Sequence, residues 1–313
     1  MNKEAAFKKA KKYIYQNARP LDLARWNYHF ENGSKEEVVQ YLEAYQNEDG
    51  GFGYGLEPDS MNPNSSPIQT WAATEIIREI GGLGKNEPIV TSIIDYLTNT
   101  DAFNGEEWST VIPSNNDYPH APWWDYPHSP WWSDSKENAF FDKYNPTATL
   151  AGFILLYADR GEEIFNRAVK ITKRAISDLI DIENPKDMHV VANFIQMYHY
   201  IKQAGLEEEF ETAALGKLLC KLVNESITRD TALWENTYAC KPSQFFNSRE
   251  SGFYTDNKEI AEFECNFIIK TQQPNGSFDV TWSWNGYEKE WELSKNWWKA
   301  QITVNNMIFL KNM

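Results

Sequence analysis

Apolar residues recur at helical spacing along the whole of this chain. Val38, Val39, Leu42 and Tyr45 make one stripe, Trp71, Ile76, Ile77 and Ile80 a second, and Leu150, Ile154 and Leu155 a third. Val191, Phe194, Ile195, Tyr198 and Ile201 make a fourth. A period of 3.6 places such positions on one face of an amphipathic helix. Start and stop signals agree with the stripes. Ser34 and Glu37 form a capping box, in which each side chain accepts from an orphan backbone N–H. Ser66, Asn145 and Asn184 each stand before a proline, the arrangement of an N-cap followed by Pro at the first helical position. Gly81, Gly82, Gly161 and Gly205 sit where a left-handed C-cap belongs. The pattern predicts helices over 2–17, 20–31, 34–47, 67–81, 87–98, 147–160, 162–181, 186–204, 207–224, 257–271 and 294–311. It leaves 226–256 unassigned, and no alternating run demands a sheet.

The links between these helices alternate in length. Those over 48–66, 99–145 and 272–293 are long, and the links between successive pairs are short. Helical hairpins of roughly 45–50 residues fall in the range of repeat architectures. About six of them arranged in a ring would place the long loops on one face and the short ones on the other. The expectation is an all-α chain, a single α/α-toroid domain over 1–313, with a mouth built from its long loops. Loops this long in a compact domain usually carry function.

Two of the long links open alike: QNEDGGF over 46–52 and QQPNGSF over 272–278. In each a helix finishes, Asp49 or Asn275 begins a turn, and Gly50 or Gly276 takes a positive φ. Phe52 or Phe278 then folds back on the helix end. This resembles the QW-type repeat of the terpenoid cyclase and protein prenyltransferase superfamily. The resemblance implies an α/α toroid whose central aromatic pocket takes an apolar, isoprenoid-like substrate. The chain departs from that superfamily in its catalytic signatures. It has no Asp-x-Asp-Asp cluster, no Asp-rich diphosphate motif and no Cys-Gly-Glu-Gln stretch, and every histidine precedes Cys265, against the Asp, Cys, His order of the zinc enzymes.

Candidate chemistry lies in the loops. Glu57 and Asp59 flank Pro58 just after the first glycine-rich turn, and paired acids near apolar walls can split into one acid and one base. The segment over 117–132 reads DYPHAPWWDYPHSPWW, one phrase written twice and changed only at Ala121 and Ser129. Its prolines hold it extended at little entropic cost. Folded back, it can bring His120, Asp125 and His128 together as acid/base groups; no metal is assigned to them. Trp123, Trp124, Trp131 and Trp132 offer flat faces for a ligand. Trp71, and Trp282 and Trp284 from the last long loop, complete the expected substrate wall.

Composition narrows the partners. Asp and Glu total 45 against 30 Lys and Arg, a formal charge of -15, which argues against nucleic acid and anionic lipid. Aromatic residues make up 15% of the chain, which suits a thick-walled core or a stacking cavity. Three widely spaced cysteines without a CxxC suggest neither a disulfide framework nor a zinc knuckle. No apolar run reaches the ~20 residues that cross a bilayer, and the expected setting is cytoplasmic. The expected function is an enzyme that binds a small-molecule or oligomeric substrate in a central cavity and uses carboxylate acid/base chemistry, with any cofactor left open. A carbohydrate-active toroid (glycoside hydrolase or polysaccharide lyase) is the first alternative, and a non-catalytic ligand- or peptide-binding toroid the second.

Overall fold

A computed structural model describes residues 2–127, 135–183 and 185–313. His128, Trp131 and Trp132 lie outside them. The described residues are all-α, with isolated β-bridges but no strand. In chain order the helices are α1 (Lys3–Asn17), α2 (Pro20–Phe30), α3 (Lys35–Glu43), α4 (Pro67–Glu79), α5 (Pro88–Asn99), α6 (Lys136–Tyr144) and α7 (Thr147–Tyr157). There follow α8 (Glu163–Asp181), α9 (Met188–Gln203), α10 (Thr212–Ser226), α11 (Lys258–Thr271) and α12 (Glu288–Asn312). The chain divides into two compact units: one formed by Met1–Ala44 with Val223–Met313, the other by Tyr45–Leu222.

The Tyr45–Leu222 unit is organised around α7, which is buried on nearly every side. Thr149 of α7 donates to the Asn193 side chain of α9 at 2.6 Å, and further along Phe153 meets Tyr200 edge to face with ring centroids 5.9 Å apart. These contacts ascend both helices together, so α7 and α9 run parallel. A Cβ on Gly152 would stand 2.8 Å from the Met197 Cα, so the glycine is what lets the two backbones come this close. The last residue of α7, Tyr157, accepts a hydrogen bond from Leu83 N just past the end of α4, so α4 is parallel to α7 as well. By contrast α8 runs back: Tyr144, before α7, reaches Asp178 near the end of α8 at 2.5 Å. The loop over 48–66 lies on the N-terminal end of α4, where Phe52 N donates to Thr70. The loop over 99–118 lies on the N-terminal end of α7, where Trp108 N donates to Thr147. Two of the long links therefore occupy the same end of the parallel helices.

The unit formed by Met1–Ala44 and Val223–Met313 packs α1 and α2 against α12. Asp22 of α2, fully buried, takes one guanidinium from Arg19 and one from Arg25, both at 3.0 Å. Glu264 of α11 accepts from the Ser243 backbone and hydroxyl at 2.9 and 2.5 Å. Burial pushes its carboxyl up to about 7, against the lowering effect of those bonds and of Lys241.

Each unit contains one of the twin turns, and their bonding is the same. Gln46 Nε2 donates to Gly50 O at 2.9 Å, and Gln272 Nε2 to Gly276 O at 3.1 Å. Asn47 N meets Gly51 O as Gln273 N meets Ser277 O. The Asp49 and Asn275 side chains each accept from the N–H two residues on. The glutamine thus closes its own turn, and only Gln272 also reaches a neighbouring helix, at Ala6 O. Gly50 and Gly276 have φ of 86° and 98°, and a Cβ on either would lie 2.1 or 2.2 Å from a helix carbonyl, that of Ser92 in α5 or Lys9 in α1.

Several local expectations are corrected. The link over 99–145 contains α6, which buries only Phe140 and Tyr144. After α3 the 44–47 stretch is a turn followed by the Gln46–Phe52 bridge, α10 starts five residues later than predicted, and α12 begins at Glu288, ahead of the stripe that marked it. The 226–256 stretch carries short 3₁₀ turns. Gly81, Gly82 and Gly205 are left-handed, whereas Gly161 is not; α7 ends in extended backbone at Ala158 instead. Pro146 is itself the N-cap of α7, one position ahead of its expected place.

The glycine geometry predicts that Gly50→Ala destabilises folding by about 1–3 kcal/mol, through forced overpacking and a disfavoured φ. Gly161→Ala, in open space, should stay within about 0.5 kcal/mol of the parent. Urea denaturation of the two variants checks the contrast.

Candidate functional site

The acidic turn and the first copy of the doubled phrase are joined directly. Ala121 N donates to Asp59 O at 2.8 Å and Met61 N to Pro119 O at 2.9 Å, forming a short antiparallel bridge of Ser60 with His120. Trp124 Nε1 donates to Glu57 Oε2 at 3.2 Å, and Asp59 N donates to the same oxygen at 3.1 Å. The turn is anchored to α4 by Gln69, whose side chain accepts from Glu57 N at 2.7 Å and donates to Glu57 O at 3.0 Å. Such a two-way amide clamp satisfies the Glu57 N–H and adds to the bond that Glu57 O accepts from Ser60 N. Asn62 and Asn115 extend the network: Asn62 Nδ2 donates to Asn115 Oδ1, and Asn115 Nδ2 to Trp124 O. Glu57 and Asp59 are both buried.

His120 faces an oxygen from each ring nitrogen, Tyr118 O from Nδ1 at 2.7 Å and Asp125 Oδ1 from Nε2 at 2.9 Å. Asn116 brackets the start of the second copy by pairing with both backbone groups of Tyr126. Of the expected residues, Glu57, Asp59, His120, Asp125 and Trp124 thus come together at the N-terminal end of α4. Trp123 is half-buried beside them in sequence, and Trp71 lies on α4 below. Trp282 and Trp284 belong to the other unit. There Trp282 meets Tyr238 and Trp298 edge to face, and Trp284 packs on Trp291. No group of three or more His, Cys, Asp or Glu side chains among the described residues has metal-site geometry, and no described helix is long and apolar enough to cross a membrane.

Below this rim is a second cluster that the stripes did not mark. At 100° per residue, Trp71, Glu75 and Arg78 share one face of α4, opposite the face that buries Ala73, Ile76 and Ile77. Trp71 therefore leaves the apolar stripe assigned to it. Arg78 Nη2 pairs with Glu75 Oε2 at 2.6 Å. Across from them α9 presents His199 and Tyr200, with Gln196 one turn before Tyr200 on the same helix. Tyr200 is in electrostatic contact with both Glu75 and Arg78, and burial, then Glu75, holds its hydroxyl well above the usual phenol range. Burial first, then Arg78 and Lys202, push His199 down to about 4.

The bonding of this wall differs in kind from that of the rim. Trp71 Nε1, Glu75 Oε1, Arg78 Nε, Gln196 Oε1 and Tyr200 Oη are all buried atoms without a hydrogen-bond partner. Thr74 stands near Tyr200, but its hydroxyl donates to Trp71 O at 2.8 Å and no hydrogen-bond geometry joins the two hydroxyls. The sequence signal that could have found the wall is a tryptophan in register with a Glu and an Arg on the face opposite an apolar stripe. No family model, curated protein or solved structure matches the chain.

Two outcomes are expected. Gln69→Leu leaves the buried Glu57 N–H and C=O without their clamp, so stability should fall by about 1–3 kcal/mol, and the Glu57 amide should exchange faster with deuterium. His199 titrates near 6.5 when unfolded and near 4 when folded. Its contribution to stability is full above the upper value and is lost as pH falls through the window. Urea midpoints measured across that range should fall less steeply in His199→Asn than in the parent.

Proposed function

We propose that the Tyr45–Leu222 unit carries an acid–base active site for a small-molecule substrate, with Glu75 as the group that moves the proton. The observation that carries the reading is the division between its two carboxylate oxygens. Oε2 is fixed by Arg78 at 2.6 Å, whereas Oε1 is buried and unpartnered. A general acid or base needs one oxygen held in place and the other directed at the substrate. Tyr200, kept protonated by burial, stands ready to donate to charge that develops on the reacting atom. In this reading Glu57, Asp59, His120 and Asp125 shape the entrance, because the hydrogen bonds of Glu57 and His120 bind them into the loop network.

The layout belongs to the same proposal. An α/α toroid related to the terpenoid cyclases and protein prenyltransferases is supported by the twin glutamine-glycine turns and by the parallel run of α4, α7 and α9 with α8 returning. A cytoplasmic setting accords with Cys220, Cys240 and Cys265 forming no disulfide.

Purified protein assayed against aryl glycosides and isoprenyl diphosphates should turn over one class. Glu75→Gln should lower that rate by about 10²–10⁴-fold, the usual worth of general acid–base catalysis, and Glu57→Gln should act mainly on stability. Absence of turnover on both classes, or a rate indifferent to Glu75→Gln, would overturn the reading.

A further inference from the structure

The five unpartnered atoms of the α4–α9 wall also say what kind of molecule fits them. Buried polar groups in folded proteins are almost always paired with protein or with something bound. Here Trp71 Nε1 and Arg78 Nε are donors, Glu75 Oε1 and Gln196 Oε1 are acceptors, and Tyr200 Oη is both. Gln196 and Tyr200, at 8% and 2% exposure, are too deeply buried for bulk water to serve them. They sit one turn apart on α9, as Trp71 and Glu75 do on α4, and the two helices run parallel. The wall is therefore a two-column array in which donors and acceptors alternate.

Three ligand chemistries can be compared against that array. An isoprenoid chain has no hydrogen-bonding group along its length and would leave all five atoms desolvated and unpaired. An anion such as a diphosphate would meet Glu75, whose carboxylate already occupies the one guanidinium present. A polyol matches, because each hydroxyl donates and accepts at once, and neighbouring hydroxyls can answer donors and acceptors in turn. The Trp71 indole adds a flat apolar face beside a polar edge, suited to a sugar ring with one face of C–H groups. The α4 column from Trp71 to Arg78 rises about 10 Å at 1.5 Å per residue, the length of two linked pyranose rings.

We infer that the α4–α9 wall is a binding site for a neutral saccharide of about two pyranose units, held by Trp71, Glu75, Arg78, Gln196 and Tyr200. The inference rests on the location of the site given above but not on its catalytic role. The test is direct binding, by saturation-transfer NMR and tryptophan fluorescence, of maltose, cellobiose, chitobiose and melibiose, with farnesol as the apolar comparator. At least one disaccharide should bind with a millimolar or tighter Kd, and farnesol should not compete with it. Tyr200→Phe, which keeps the ring and removes only the hydroxyl, and Gln196→Leu should each weaken that binding about tenfold, the loss of one good polar contact. Melting temperatures identify variants that remain folded, and the parent titration stands without them. Failure of all four sugars to bind, binding untouched by both substitutions in folded protein, or displacement of the sugar by farnesol would overturn the inference. Sugar binding without turnover would remove the catalytic reading and keep this one. Turnover of an isoprenyl diphosphate without sugar binding would do the reverse.

Discussion

A buried hydrogen-bonding group must find a partner or bear the cost of its lost hydration, and this constraint separates the two halves of the candidate site. At the rim it is met within the protein. Glu57 gives its carboxylate to an indole and a backbone amide, Gln69 serves the adjacent peptide groups, and His120 lies between a carbonyl and Asp125. On the wall below, five buried atoms are left over. The same residue types, carboxylate, amide, indole and hydroxyl, occur in both places. What differs is whether the chain itself completes their bonding.

The wall depends on how closely its helices can approach. Gly152 brings α7 against α9 at a point where any side chain would meet the Met197 backbone, and Phe153 of α7 then meets the Tyr200 ring edge to face. Because α4 is also tied to Tyr157 through Leu83, the positions of Tyr200 and Glu75 are both referred to one buried helix. Two groups on different helices hold a constant relation only when something rigid connects them. Close packing of helix on helix supplies that rigidity.

What could be read from the chain follows the range of the forces involved. The Asx start and left-handed glycine of the twin turns were legible because Asx and Gly at fixed offsets determine a turn locally, whereas the glutamine, expected to bond a neighbouring helix end, closes its own turn in both. The caps at Ser34 and Ser66 were legible for the same reason. The short helix α6 escaped because a segment with only Phe140 and Tyr144 buried has too few apolar positions to show a period. Joining of the acidic turn to the doubled phrase was expected from loop placement, but its means, backbone pairing with an indole on a carboxylate, depends on contacts 60 or more residues apart. The wall was hidden for a deeper reason. Glu75 and Arg78 at helical spacing look like an ordinary solvated ion pair, and nothing in their spacing tells whether that face meets water or another helix.

Rim and wall are both carried on α4, and this gives the candidate site its depth. Gln69, in the first turn, holds the loop that carries Glu57, while Glu75 stands six residues further along the same helix, about 9 Å down at 1.5 Å per residue. A helix is stiff over that distance, so α4 holds the separation of the Glu57 loop from Glu75 constant as loops rearrange. It also means that the loop network can be closed by its own hydrogen bonds without using any of the wall's. The polar groups of the rim bind the loops to α4. Those of the wall take no part in that task, and five of its buried atoms have no partner within the protein.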